Sequence, residues 1–251
     1  MTAASTAMIL AAGLGTRLLP LTKGTPKPLI KVGNKALIDY HLERLAKAGF
    51  RRIVINASYL SEQIVAHLEG LKTQAVFSRT TLHVRVEAQP LETGGALVNA
   101  SDLLGDDPIL VISGDAWVDL QPNELQAITR RAVSRLEQEC DAVLFMTNNP
   151  AHNACGDFEI RNGFAQSFIA SDNQACDTLA QNTKTYTGLG VFSLAAFNRY
   201  PRRRAVFPLR EYFKHLIHKR RLGTMTIENT WFDVGTPARL GECENFISAR
   251  G

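Results

Sequence analysis

The stretch from Met8 to Leu29, MILAAGLGTRLLPLTKGTPKPL, constrains the fold more than any other part of this chain. An apolar run, Ala7 to Ala12, is long enough for one buried strand and ends at the turn Gly13-Leu14-Gly15-Thr16. Arg17 follows at once, and Lys27 stands further on between Pro26 and Pro28. A strand can bend onto an anion only where side chains are out of the way. Gly13 and Gly15 clear that space and leave backbone N–H groups free to donate to oxygen. Arg17 adds a planar fork of donors and Lys27 a mobile point charge, the two kinds of cation that neutralise phosphoryl oxygens. The prolines stiffen the Lys27 segment, because each fixes its own φ and pushes its predecessor into an extended conformation. Two other phosphate binders are not expected: a dinucleotide fingerprint wants a third glycine where Leu18 stands, and a P-loop wants Gly-Lys-Ser/Thr after the turn. On this stretch alone, an ordinary glycine-bearing turn with a surface Arg and Lys stays open.

The chain has 251 residues, 45% of them hydrophobic, enough to bury a sizeable core as one α/β domain or two small ones. A formal net charge of +4 suits anionic phosphates without demanding nucleic acid. No positive residue precedes Arg17, and the first apolar run is too short to span a bilayer. Neither a signal peptide nor a membrane partner is expected, and the cytoplasm is the default. Cys140, Cys155, Cys176 and Cys243 form no C-x-x-C, so four reduced thiols are expected rather than a disulfide framework or a zinc site.

Periodicity gives the order of elements. Asn34 can cap a helix running to Lys47, with Leu37, Ile38, His41, Leu42 and Leu45 on one face and Gly49 as its stop. Ile53-Val54-Ile55 reads as a buried strand, Ser61 to about Leu68 as a helix, and Leu82, Val84 and Val86 alternate as in a strand. This βαβαβ pattern argues for a mostly parallel sheet whose ligands lie outside the carboxyl ends of the strands. After Glu87-Ala88-Gln89-Pro90-Leu91-Glu92 a helix opens at Gly94, with Thr93 as a plausible cap. Pro108 to Ile112 is a further strand that delivers Ser113-Gly114-Asp115 to the cleft. The spacing predicts a helix from Pro122 to about Glu139, its Arg130, Arg131 and Arg135 turned to solvent, and then a strand from Ala142 to Thr147. Alternation around Asn162-Gly163 signals a hairpin. A basic amphipathic helix runs from Pro208 to Arg221; without an aromatic platform or reader motif, its charge does not point to nucleic acid. Thr236 and Pro237 start a closing helix to about Ser248.

Three segments together carry a resemblance: Leu10-Ala11-Ala12-Gly13-Leu14-Gly15-Thr16-Arg17-Leu18 with Pro20-Leu21-Thr22 and Thr25-Pro26-Lys27-Pro28-Leu29, then Gly114-Asp115, and Trp231-Phe232-Asp233-Val234-Gly235-Thr236-Pro237. This set is similar to the signature of the sugar-1-phosphate nucleotidyltransferases, and the similarity covers about Ala7 to Ala249. It implies an α/β fold, a doubly wound, mostly parallel mixed sheet of Rossmann-like type with a small β-rich sugar-binding insertion. It implies a single catalytic domain, with a nucleotide-binding half to about residue 110 and a metal and sugar-phosphate half beyond. The implied reaction is NTP plus sugar 1-phosphate giving NDP-sugar and pyrophosphate, with Mg²⁺ as cofactor, in a monomer or homodimer. The short forms of the motifs point to UTP and N-acetylmuramate 1-phosphate, with GTP and mannose 1-phosphate as the alternative pair. A catalytically silent nucleotide-sugar sensor or partner subunit is the alternative of another class.

Carried over residue by residue, the resemblance assigns Leu10, Ala11, Ala12, Gly13, Gly15 and Thr16 to the nucleotide, Arg17 to the leaving pyrophosphate, Lys27 to the α-phosphate, and Asp115 and Asp233 to the metal. Glu87 and Gln89 are candidates for reading the base edge, although a polar loop with a cap fits either residue equally well. Glu92-Thr93-Gly94-Gly95 stands for the family's Gly-Thr-Ala-Gly element, with Glu92 in place of a glycine. Gly156, Asp157, Thr187 and Gly188 fall in the sugar-phosphate subsite; Asp157 is either a ligand of a sugar hydroxyl or an exposed turn carboxylate. No Glu-Lys-Pro, whose lysine holds the sugar phosphate in many relatives, stands between Phe164 and Tyr186.

Overall fold

The computed structural model describes residues 4–169 and 182–250. The apolar run at the start forms β1 (Thr6–Leu10), and the phosphate-loop candidate that follows is wound into short 3-10 turns. A hairpin, β2 (Lys31–Val32) and β3 (Lys35–Ala36), then feeds α1 (Leu37–Lys47). Asn34 does not cap this helix. It sits with Gly33 (φ +64°) in the two-residue turn between the paired strands, a local demand that outcompetes capping, and the helix begins three residues later. The predicted face is the buried one, and Gly49, at φ +89°, stops the helix as expected.

The next elements are β4 (Arg52–Ala57), α2 (Ser61–Leu71), β5 (Thr81–Val86), α3 (Glu92–Asn99), α4 (Ser101–Leu104) and β6 (Ile109–Ser113). A short strand β7 (Ala116–Val118) precedes α5 (Pro122–Gln138) and β8 (Ala142–Thr147). The predicted hairpin is β9 (Phe158–Arg161) and β10 (Phe164–Phe168), turning at Asn162 (φ +52°) and Gly163 (φ +75°). β11 (Thr183–Phe192), α6 (Leu194–Asn198), α7 (Leu209–His218), β12 (Leu222–Thr226), β13 (Trp231–Asp233) and α8 (Pro237–Ser248) complete the chain. Thr236 caps α8 as read, accepting from Arg239 N.

One nine-stranded sheet runs β5-β4-β1-β6-β11-β8-β12-β10-β9. The first four are mutually parallel, β11 runs antiparallel to both neighbours, and β8 and β12 are again parallel. Alternate residues of a strand serve opposite faces, and the core divides accordingly. Ala7 and Ile9 of β1 belong to the cluster formed with α1, α2 and α5, whereas Met8 belongs to the one formed with α3, α4 and α7. Helices on both faces make the sheet doubly wound. A third cluster gathers Leu18, Ile30 and Val32 near the phosphate loop with Trp117, Val234, Leu240 and Cys243. Trp117 meets Tyr40, Phe232 and Phe246 at ring separations of 5.6–6.4 Å. Each such contact adds about 0.5–1.5 kcal/mol beyond its buried area, so this cluster fixes α8 against the loop.

Three expectations change. Val86 is exposed because β5 is the edge strand and its last residue runs past the helices. Arg135 is not on a solvated face: its guanidinium donates to the carbonyls of Thr224 and Gly163 and to Glu139, and lies 5.2 Å from the Phe164 ring centroid, tying α5 to the hairpin. Cys140 and Cys243 are free, buried thiols, pushed up to about 11 and about 12 by burial, but Cys155 is disulfide-bonded. That corrects the expectation of four reduced thiols; Cys176 lies outside the described residues.

His41 on the buried face of α1 has a pH consequence. It is 2% exposed, and burial, aided by the nearby Arg44 charge, pushes its imidazole down to about 3. Below pH ~6.5 the unfolded chain takes up a proton that the native state refuses, so stability falls as pH falls. The loss between pH 7 and pH 5 should be about 2 kcal/mol from this residue. Urea unfolding at both pH values should therefore show a steeper acid loss in the native sequence than in His41→Leu. Parallel losses would show that His41 does not carry it.

Candidate active site

The strand order turns about β1 and β6, with β4 and β5 on one side and β11 onward on the other, which makes their shared carboxyl end the switch point where an open α/β sheet leaves a crevice. Leu10 and Ser113 are paired at that end, so the glycine turn and the Ser113-Gly114-Asp115 corner leave the sheet side by side. Gly114 makes this possible. Its N–H donates to Leu10 O at 2.9 Å, and a Cβ there would stand 2.7 Å from the same oxygen.

Gly15 takes φ +65°, and a Cβ on it would meet Thr22 Cγ2 at 2.9 Å and Lys27 Cβ at 3.1 Å. Thr22 Oγ1 donates to Gly15 O, closing the loop on itself. Gly13 differs: a Cβ there would meet nothing within 4 Å, because it faces the cavity. Ala11 N donates to the side chain of Asn56 at 2.8 Å, anchoring the loop's first residue to β4.

Lys27 Nζ lies 2.7 Å from Asp115 Oδ2, and Ser113 Oγ donates to Asp115 Oδ1 at 2.7 Å. Burial by itself would raise the Asp115 carboxyl. The Lys27 ammonium and these hydrogen bonds outweigh it and hold the group below the usual carboxylate range, so it is ionised at neutral pH. Asp233 arrives from the far end of the chain on an antiparallel ribbon in which it pairs with Ala116, while Val234 N donates to Asp115 O at 2.8 Å. Backbone pairing thus brings the two carboxylate-bearing residues together. Asp233 Oδ2 is 3.2 Å from Arg239 Nη2, and its Oδ1 is buried without a hydrogen-bond partner. A Cβ on Gly235 would crowd Asp233 Oδ1, Arg239 Nη2 and Arg17 Nη2 at 2.6, 2.8 and 3.0 Å, so this glycine leaves room for these three side chains to converge. Sequence reasoning missed Arg239; its place three residues after the capping Thr236 carried no signal beyond helix chemistry.

Two cavities open from this centre. One, of about 420 Å³, is bounded by Leu10 to Arg17, Lys27, Glu87, Glu92 and Thr93; the other, of about 520 Å³, by Asp157, Tyr186, Thr187, Gly188, Trp231 and Asp233. Arg17, Ser113 and Asp115 line both and mark their junction.

On the base side, the Glu87 carboxylate is occupied: it accepts from Asn56 Nδ2 at 2.9 Å and from Leu91 N at 3.2 Å, and so shapes the loop from beneath. Gln89 is exposed and not on the cavity wall. Glu92 adopts φ +62°, a left-handed conformation that glycine takes without cost. Thr93 does not cap its own helix. It accepts from Leu209 N at 2.8 Å and so serves the start of α7, and the amides of Gly94 and Gly95 both end on Phe207 O.

On the sugar side, the Asp157 carboxylate is ordered, accepting from Tyr186 N at 2.8 Å and Asn153 Nδ2 at 3.0 Å. Thr187 is fully buried and its hydroxyl donates to Phe145 O, so it offers no hydroxyl to a sugar. Gly188 takes φ +83° and packs against Ser113 and Ala116, behind the acidic corner. Gly156 is held at φ +72° against Asn149 and lies on an extension of this cavity rather than at its centre.

The family model described as nucleotidyl transferase matches residues 6–250. The chain belongs to this family. The N-acetylmuramate alpha-1-phosphate uridylyltransferase of Neisseria meningitidis is 34% identical over 97% of this chain and 98% of its own length. The mannose-1-phosphate guanylyltransferase catalytic subunit beta of Xenopus tropicalis is 28% identical over 97% of this chain, which spans 65% of that longer protein. A UDP-glucose pyrophosphorylase solved with UDP-glucose shares the fold, with a TM-score of 0.76 at 17% identity over 99% of this chain and all of that one. This nucleotidyltransferase is an enzyme of nucleotidyl transfer to a sugar 1-phosphate. Among its described residues no helix is long and apolar enough to cross a membrane.

Proposed function

We propose that this nucleotidyltransferase joins UTP and N-acetylmuramate 1-phosphate, giving UDP-N-acetylmuramate and pyrophosphate, as a cytoplasmic step in the reuse of cell-wall sugars. The observation that carries the reaction type is the meeting of two cavities at Arg17, Ser113 and Asp115, one bounded by the glycine loop and the other by the β-rich half. The choice of substrates is supported by the relative that matches over nearly its whole length.

An oxygen of the sugar phosphate attacks the α-phosphorus and pyrophosphate leaves, so the chain need supply no nucleophile. It aligns the reactants and neutralises charge. Backbone donors from Gly13 to Thr16 receive the triphosphate, Arg17 steadies the departing pyrophosphate, and Lys27 meets the α-phosphate. The two acidic residues fit a magnesium ion: Asp233 Oδ1 is a buried oxygen without a partner, Asp115 is ionised, and both are hard donors. A magnesium ion takes one or two carboxylates and completes its shell with phosphate and water. Held by Asp115 and Asp233, Mg²⁺ would supply charge stabilisation at the reacting phosphates. The presence of Lys27, Asp115 and Asp233 together weighs against a silent sensor.

The test is Mg²⁺-dependent pyrophosphate release with UTP, GTP, CTP and dTTP against the 1-phosphates of N-acetylmuramate, N-acetylglucosamine, glucose and mannose. Activity centred on UTP with the muramate phosphate is expected. GTP with mannose phosphate would keep the chemistry and replace the substrates.

A further inference from the structure

Two guanidiniums on the sugar-side cavity make no hydrogen bond or ion pair among the described residues: Arg17 and Arg210. Three other arginines of the same half are paired within the fold. Arg204 pairs with Glu211, Arg221 with Asp141 and Arg135 with Glu139. Arg17 lies at the junction with the nucleotide cavity, where the sugar phosphate must react. Arg210 lies elsewhere, on a wall that this cavity shares with an extension of about 620 Å³ reaching Gly156, Phe168 and Ile169, which neither Asp115 nor Asp233 lines. From this placement, and resting on the function proposed above, we infer that Arg210 is a specificity-determining residue that pairs with a carboxylate on the sugar, so that the preferred substrates are acidic sugar 1-phosphates.

Three features support this. The guanidinium sits 4.5 Å from the Phe168 ring centroid, a cation–π contact that fixes its plane and leaves its edge donors free for a bidentate carboxylate. Arg210 is the second residue of α7, where the helix dipole opposes a cation by about 0.3–1 kcal/mol, so helix stability does not explain it. Asp157, the acidic residue that lines both this cavity and its extension, already accepts from Tyr186 N and Asn153 Nδ2 and is no ion-pair partner of Arg210. A sugar whose phosphate reacts at the junction and whose carboxylate lies toward the extension would satisfy Arg210, while Arg17 stays with the departing pyrophosphate. N-acetylmuramate 1-phosphate is such a molecule, and N-acetylglucosamine 1-phosphate is the same ring without the carboxylate-bearing ether.

The experiment measures kcat/KM for both sugar phosphates with UTP in the native enzyme, Arg210→Gln and Arg210→Lys, together with glucuronate and glucose 1-phosphates as a second acidic and neutral pair. In Arg210→Gln the ratio of acidic to neutral kcat/KM should fall ~10–100-fold, the loss expected for one charge-assisted contact, and should fall through KM rather than kcat. Arg210→Lys should recover part of it. Equal losses on acidic and neutral sugars, or no change in the ratio, would overturn the assignment. Turnover of neutral sugars alone by the native enzyme would overturn it too while leaving nucleotidyl transfer intact. Absence of pyrophosphate release with every pair would sink the proposed reaction, and this assignment with it.

Discussion

Lys27→Ala and Asp115→Asn should each lower kcat by ~10²–10³ while the fold persists, the cost expected when one preorganised electrostatic contact to the transition state is removed. Lys27 Nζ and Asp115 Oδ2 are 2.7 Å apart, so each variant also strips its partner of a counter-charge. Both side chains keep some exposure, 12% and 28%, so water can take over part of that role and unfolding is not expected. The backbone bond from Val234 N to Asp115 O needs no side chain and survives either change. Single-turnover pyrophosphate release at saturating substrates isolates the chemical step, and circular dichroism checks the fold. Turnover within tenfold of the native enzyme in both variants would remove these residues from the reaction.

Gly114→Ala should damage stability and activity together. The added methyl would stand 2.7 Å from Leu10 O and 3.5 Å from Ala11 Cα, and both are backbone atoms that cannot swing aside. Overpacking of this kind costs about 1–3 kcal/mol, and at this chain length each kcal/mol lowers Tm by roughly 2–4 °C. The corner that must shift carries Asp115, and a displacement near 1 Å at a reacting centre can cost ~10² in rate. Gly13→Ala is the informative contrast, because its methyl would meet no protein atom within 4 Å. Its Tm should hold while the KM for NTP rises. If Gly13→Ala instead unfolds as readily as Gly114→Ala, the loop is packed rather than open to a ligand.

Local chemistry was legible in the sequence and distant partners were not. The buried face of α1, the strands β1, β4, β5, β6 and β8 and the Asn162-Gly163 hairpin all followed from periodicity and turn residues, which act over a few positions. Asn34 misled because a hairpin turn and a helix cap favour the same residue type, and only the pairing of β2 with β3 decides between them. Thr93 carried a capping signal that was real but aimed at a helix 116 residues away. Glu87 looked like a base reader because it is polar beside a cleft; its carboxylate is spent on Asn56, 31 residues earlier, and on Leu91. Asp115 and Asp233 were singled out by their motifs, yet nothing in either segment states that β7 and β13 would pair. Arg210 read as part of a basic helix, and its lack of an opposing charge exists only once the fold has assigned partners to its neighbours.

The ribbon of β7 and β13 also sets a schedule. The glycine loop and Asp115 are complete within the first half of the chain, but Asp233 enters the site on a strand paired with β7 and is followed by the α8 residues packed on Trp117. A chain emerging from the ribosome therefore carries the residues of the glycine loop long before it carries both acidic residues. On the function proposed above, turnover is expected only once synthesis has passed about residue 240, which pyrophosphate release by truncated chains would check.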